Sequence, residues 1–313
     1  IRQRIMEKDP SSRNRYELAQ CYSLLAGFSA QENNPAEAEI RYAEEFEIRM
    51  SLNSEAGSQP RALLSRQQTA INTLRIGNHY QLEGRAAEAE NAYQEGFALM
   101  KECIRQDTPL LQKSRLITET LWHNANALTL LFEGKKYDEV LDRCRDDRSW
   151  ISSLFDEKST EVSFIRELID RNTGNICFYE GRALLLKNDY DEALMHIQNG
   201  ITLVKPHYES NSANAALSLS CLYDLKARVQ LYLNDFAQAQ ENAAEATLIT
   251  PGNMSFQITL AHIYLFNGQS DKAKKIYFQY KDVVAGNDEK TMGQLILQDL
   301  ACFREHGLYS KDM

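Results

Sequence analysis

The sequence predicts an all-α fold, a solenoid of antiparallel helix pairs closed by one C-terminal helix. Three observations predict it. The first is an internal period. Between Tyr223 and Tyr280, Ala227 pairs with Ala261, Leu231 with Leu265, Ala239 with Ala273 and Ala243 with Tyr277, each 34 residues on. Small residues at set offsets within such a period mark helix–turn–helix units that stack on their neighbours. The second is a recurring turn: a small or polar breaker, an aromatic or small residue, two polar residues, then alanine. It occurs as NNPAEA ending at Ala38, GRAAEA at Ala89, NDYDEA at Ala193, NDFAQA at Ala239 and GQSDKA at Ala273, with GKKYDEV at Val140 as a variant. The third is the spacing of apolar residues, which is helical with no useful stretch of strand-like alternation.

Taken in order, residues Arg13 to Gln31 carry Tyr16, Ala19, Tyr22, Leu25 and Ala26 on a first helix. Pro35 suits the first position of the next helix, which bears Ala38, Tyr42, Ala43, Phe46 and Met50. Residues 51–60, SLNSEAGSQP, read as a loop. The second copy runs to about Leu82 with Ile71, Leu74, Gly77 and Tyr80 inward. It returns from about Ala86 to Arg105 with Ala89, Tyr93, Phe97, Met100 and Ile104. Asp107-Thr108-Pro109 is a start signal for the third copy, through Trp122, Leu128, Leu131 and Phe132, whose second helix ends near Phe155. The fourth copy has Gly181, Leu184, Tyr190, Ala193, Ile197 and Gly200, with Pro206 as a stop; Pro251 separates the fifth from the sixth. Asn287-Asp288 starts a last helix with Met292, Leu295, Ile296, Leu300 and Phe303, ending at Gly307. A lone helix there shields the open apolar face of the final repeat.

The turns are 51, 51, 53, 46 and 34 residues apart, so the early copies need longer helices. The expected organisation is three long-helix copies over 1–155, three more over 156–286 and a capping helix with tail over 287–313. About thirteen helices in one continuous solenoid result. The alternative is two bodies hinged near 155–160 or 206–212, where the spacing changes.

Little in the composition points to catalysis. Net charge is −9 and the isoelectric point about 5.3, which argues against nucleic acid as a direct partner. Six cysteines, none within 33 residues of another, form no metal-binding or redox pair and read as reduced thiols of a cytoplasmic protein. No apolar run approaches about 18 residues, so no membrane partner is expected. No two of the six histidines stand at i, i+4, and no phosphate loop or nucleophile elbow occurs. No catalytic residue, cofactor or metal is therefore expected. The acidic stretch over residues 37–47 is expected to face solvent beside Arg41 and Arg49.

The pair over Tyr223–Tyr280, and the second copy through Gly77, Tyr80, Ala89 and Tyr93, resemble tetratricopeptide repeats. The resemblance covers about residues 12–286 and departs from the family in its long early spacings. It implies a right-handed superhelix whose first helices line a concave groove. It also implies a non-catalytic protein–protein interaction scaffold binding a peptide or partner protein there. By the resemblance, the groove holds Asn78 and Gln81, Asn126 and Thr129, and Asn175, Phe178, Tyr179 and Arg182. Asp224, Arg228, Ile258 and His262 follow in the last two copies. Asparagine and arginine suit an extended peptide's backbone and carboxylates; a salt bridge between neighbouring helices is the competing role for Arg182 and Arg228. Some family members grip two carboxylates with a clamp of Lys, Asn and Arg. Asn78 and Asn126 match its asparagines, but Leu74 and Asn175 replace its lysines and Tyr179 a basic residue, so no clamp is expected. The alternative function is a regulatory or sensor domain of a larger bacterial-type signalling or transcription-regulatory protein, with further domains in cis. The start at Ile1, which reads as an excised fragment or processed product, favours it.

Overall fold

In the computed structural model the described residues are 11–31, 40–41, 44–45, 48–49, 51, 60–105, 110–153, 160–284 and 290–311. They belong to two compact units, residues 1–135 and 136–313. The first unit holds α1 (Ser12–Gln31), α2 (Pro60–Leu82), α3 (Ala86–Arg105) and α4 (Leu110–Glu133). Described residues between Ile40 and Ser51 are also helical. The second unit holds α5 (Tyr137–Ser153), α6 (Thr160–Leu186), α7 (Tyr190–Glu209) and α8 (Ala213–Tyr232). It continues with α9 (Phe236–Ile249), α10 (Met254–Phe266), α11 (Ser270–Tyr280) and α12 (Met292–Glu305). Among the described residues there is no strand, only an isolated bridge between Val284 and Thr291. Helices pack as pairs: α2 with α3, α6 with α7, α8 with α9, and α10 with α11. The first helices of successive pairs also touch, α6 with α8 and α8 with α10, so in the second unit they share one face.

The turns between paired helices use one backbone device. Gly84, Asn188, Asn234 and Gly268 all have positive φ, between 60° and 75°, as does Lys135 after α4. At Asn188 the backbone N–H bonds Leu185 O and that of Asp189 bonds Leu184 O; the pattern recurs at Asn234–Asp235 and Gly268–Gln269. This double closure satisfies the last carbonyls of the helix, and the left-handed residue it needs is usually Gly or Asn. The breaker read in the sequence is that residue.

Behind each turn a small side chain lets the second helix close on the first. Ala89, Ala193, Ala239 and Ala273 are fully buried, as are Ala227 and Ala261 on the facing helices. At Gly77 a Cβ would stand 2.8 Å from the Tyr93 ring. In the second unit one core joins α6, α7 and α8 through Leu184, Ile197, Val204, Leu219, Leu222 and Val229. A second joins α8, α9, α10 and α12 through Ala227, Leu231, Ala243, Ile263 and Phe303.

The helix ends at Leu82, Ala86 and Arg105 fall where the sequence puts them. Three expectations are corrected. Pro206 does not stop its helix; α7 continues to Glu209 before a left-handed turn at Asn211. One backbone bond is lost there, yet His207 reaches Asp170 at 2.9 Å and Tyr208 packs on the α6–α7–α8 core, holding the extra turn. The last helix starts at Met292, where Thr291 and Gln294 form a capping box; the expected start at Asn287-Asp288 lies outside the described residues. The acidic stretch is not wholly solvated: Glu45 is buried in a 2.7 Å ion pair with Arg49, whose guanidinium lies over the Tyr16 ring. The turn at residues 33–38 and the boundary expected at 155 also lie outside the described residues.

Overpacking tests the repeat alignment. Ala193→Leu and Ala239→Leu should each lower stability by about 1–3 kcal/mol in urea titrations. Ala237→Leu, at an exposed position on the same helix as Ala239, should change it by less than about 0.5 kcal/mol. Equal effects at Ala237 and Ala239 would refute the alignment.

Candidate partner-binding face

In the first unit, α2 and α4 bring three of the sequence-predicted residues into one network. Asn78 Oδ1 accepts from Asn126 Nδ2 at 3.0 Å and stands 2.6 Å from the Tyr93 hydroxyl, which is also 2.8 Å from Gln81 Oε1. The Asn126 amide donating to that oxygen orients the Asn78 amide, so its Nδ2–H₂ points at His123 Nδ1, 3.1 Å away, while the single Tyr93 proton is shared between Asn78 and Gln81. His123 Nδ1 must then be an acceptor and the imidazole neutral. Burial, with the Arg75 charge adding, holds the pKa of His123 down at about 4. Thr129 donates its hydroxyl to Ala125 O of its own helix, 2.9 Å away.

In the second unit the predicted residues differ in character. Asn175 and Tyr179 are half-buried on α6, with Tyr179 edge-on to Phe178. Arg182, one turn on, is exposed. Arg228 on α8 is exposed and bonds Asp224 of its own helix at 2.8 Å, rather than a neighbouring helix. The Asp224 charge, and Asp299 behind it, raise the Arg228 pKa. His262 on α10 is the correction. Only 4% of it is exposed, and it lies between the Tyr277 hydroxyl at 2.8 Å and Asp299 at 3.2 Å. Burial lowers its pKa, against the pull of Asp299. It is covered because α12 lies over α10 there, through Phe303 as well as Asp299. Ile258 is covered too, under Met292 and Ile296.

One polar group escaped the sequence reading. Glu180 on α6 is buried, bonds Arg148 of α5, and lies 2.9 Å from His196 of α7. Burial raises its carboxyl pKa against the opposing charges of Arg148 and His196. The three line a cleft of about 460 Å³ with Arg145, Lys187 and Glu192. No local motif links residues 148, 180 and 196, because only the pairing of three helices brings them together.

The cysteines are free, and burial pushes the thiols of Cys103, Cys177 and Cys221 up to about 11, which disfavours the reactive thiolate. No helix is long and apolar enough to cross a membrane, and no cluster of three metal-ligating side chains occurs, both among the described residues.

No protein-family model matches the chain, and no curated protein does. Solved structures do. The apo form of RapI aligns over 97% of this chain and 74% of its own, with a TM-score of 0.65 and 12% identity. The chain has a tetratricopeptide-like repeat fold. PilF of Pseudomonas aeruginosa covers 92% of this chain and 98% of its own at a TM-score of 0.48 and 14% identity. Yeast Tom70 covers 98% and 57%, at 0.41 and 13%. At such identities the likeness concerns the tetratricopeptide-like fold alone.

Acid should weaken the first unit through His123. Its folded pKa of about 4 lies below the ordinary value of 6.5. A depressed base stabilises the fold fully above the unfolded value, and this is lost as pH falls towards the folded one. Between pH 7 and 4 the wild type should lose roughly 3 kcal/mol that His123→Gln does not lose. Urea titrations of both chains across that range measure it, and parallel losses would refute the assignment.

Proposed function

We propose that the chain is a non-catalytic interaction scaffold that binds a protein or peptide along the first helices of its tetratricopeptide-like repeats. One observation carries the reading. Arg182 and Arg228 stand exposed on adjacent first helices, at equivalent positions after Gly181 and Ala227. A guanidinium carries five N–H donors, so an arginine that already holds a partner, as Arg228 holds Asp224, can still receive an acidic group from outside. Tyr179 and Asn175 beside them offer a flat apolar wall and an amide for a peptide backbone. The acidic balance of the chain leaves this basic spot as a local feature, consistent with a protein partner rather than nucleic acid.

The test is affinity capture from native lysate on two immobilised baits, the wild-type chain and an Arg182→Glu, Arg228→Glu double variant of equal helicity. Mass spectrometry should find a protein retained by the first and depleted at least tenfold on the second. Equal retention would place the interface elsewhere and overturn the assignment of these residues.

A further inference from the structure

The two halves of α12 do different things. Met292 and Ile296, in the first half, pack on Ile258 with Met254, Ile276 and Tyr277 beside them, covering the open side of the last pair. The second half runs onto the first-helix face of α8 and α10. Asp299 and Phe303, one helical turn apart, are among its contacts, with Leu300 and Cys302. Asp299 Oδ2 lies 3.2 Å from His262 Nε2, and its charge also bears on Arg228. The Phe303 ring meets His262 at 5.1 Å, Phe266 at 5.3 Å and Tyr232 at 5.7 Å between centroids.

Those four partners have a common position. Arg228 and His262 each follow the small mid-helix residue of their repeat, Ala227 and Ala261; Tyr232 and Phe266 lie one turn further on. Arg182 holds the corresponding position on α6, after Gly181, where it is exposed. That face is thus open at Arg182 on α6 and at Arg228 on α8, and filled by α12 at Tyr232, His262 and Phe266. The seat is not an apolar core alone. The Asp299 carboxylate meets the His262 imidazole, while the buried Asp224 Oδ1 beside Arg228 accepts no hydrogen bond among the described residues. The opposite side of α12 is exposed, Leu297 by 67%.

We propose that the second half of α12 is an intramolecular ligand. It occupies in cis a docking site for an amphipathic helix that carries a carboxylate one turn before an aromatic, and a partner helix of that chemistry displaces it. The proposal rests on the first-helix face being the binding surface. Competition follows from mass action: the affinity seen by an external helix is reduced by the fraction of chains whose site is open.

The experiment uses the full chain and a labelled peptide of residues 290–311. Phe303→Ala in the chain weakens the internal competitor, and Asp299→Lys does so at a half-exposed side chain that leaves the core intact. The peptide should bind both variants at least tenfold more tightly than the wild type, and a peptide carrying Phe303→Ala should bind none of them. In the Asp299→Lys chain, hydrogen–deuterium exchange over 292–305 should accelerate at least tenfold while α8 and α10 keep their protection. Loss of protection in α8 and α10 together with α12 would make α12 part of the repeat core and overturn the proposal. So would failure of the peptide to bind either variant, or a stable dimer of the variants that the peptide does not dissociate, which would assign the site to a second copy. Partner capture that still depends on Arg182 and Arg228 would then leave the scaffold reading standing without this one.

Discussion

Everything in this fold depends on how closely two helices approach across a short turn. Ala193, Ala239 and Ala273 are fully buried behind their turns, and Gly77 faces a tyrosine ring with no room for a methyl group. Interiors pack at crystal-like density, so a side chain larger by a few atoms at such a crossing has nowhere to go. Once the pair is set at that distance, the larger residues around it, Ile197 and Leu222 in one core and Leu231 and Ile263 in the next, fall into contact along a continuous seam. The left-handed turn residue and the buried alanine are two halves of one device. The first reverses the chain without leaving carbonyls unpaired, and the second lets the returning helix dock.

The same device directs the apolar side chains: each pair buries them against its own partner and against the next pair. A row of equivalent positions runs next to the small mid-helix residues. The two units use that row differently. In the first, Asn78, Gln81 and Asn126 are tied to Tyr93, to His123 and to each other in an internal network. In the second, Arg182 and Arg228 are exposed, Arg228 while bonded to Asp224, and His262 and Ile258 lie beneath α12. A row of equivalent positions is therefore not a row of equivalent sites.

Burial of ionisable groups follows the same division. Glu180 is tolerated inside because α5 and α7 each bring a basic side chain to it, and Glu45 because Arg49 is one turn away on its own helix. Unpaired, either carboxylate would cost far more to bury than it contributes. The second case was within reach of the sequence as an i, i+4 pair; the direction it faces was not, since both a solvated and an inward stripe satisfy that spacing.

Local chemistry was readable from the sequence alone. The helical spacing, the breaker before each turn and the alanine after it determined the all-α class, the pairing and the helix ends at Leu82, Ala86 and Arg105, because backbone geometry and close packing act within a few residues. The positions next to the small mid-helix residues were legible for the same reason. Only the tertiary structure decided which of them stay open. It carried α7 past Pro206 through contacts to α6 and α8, gathered Arg148, Glu180 and His196 from three helices, and laid Asp299 and Phe303 over His262. Each of these joins residues more than 30 positions apart or on separate helices. Long-range contact of that kind is set by how whole helices dock, and no local pattern records it.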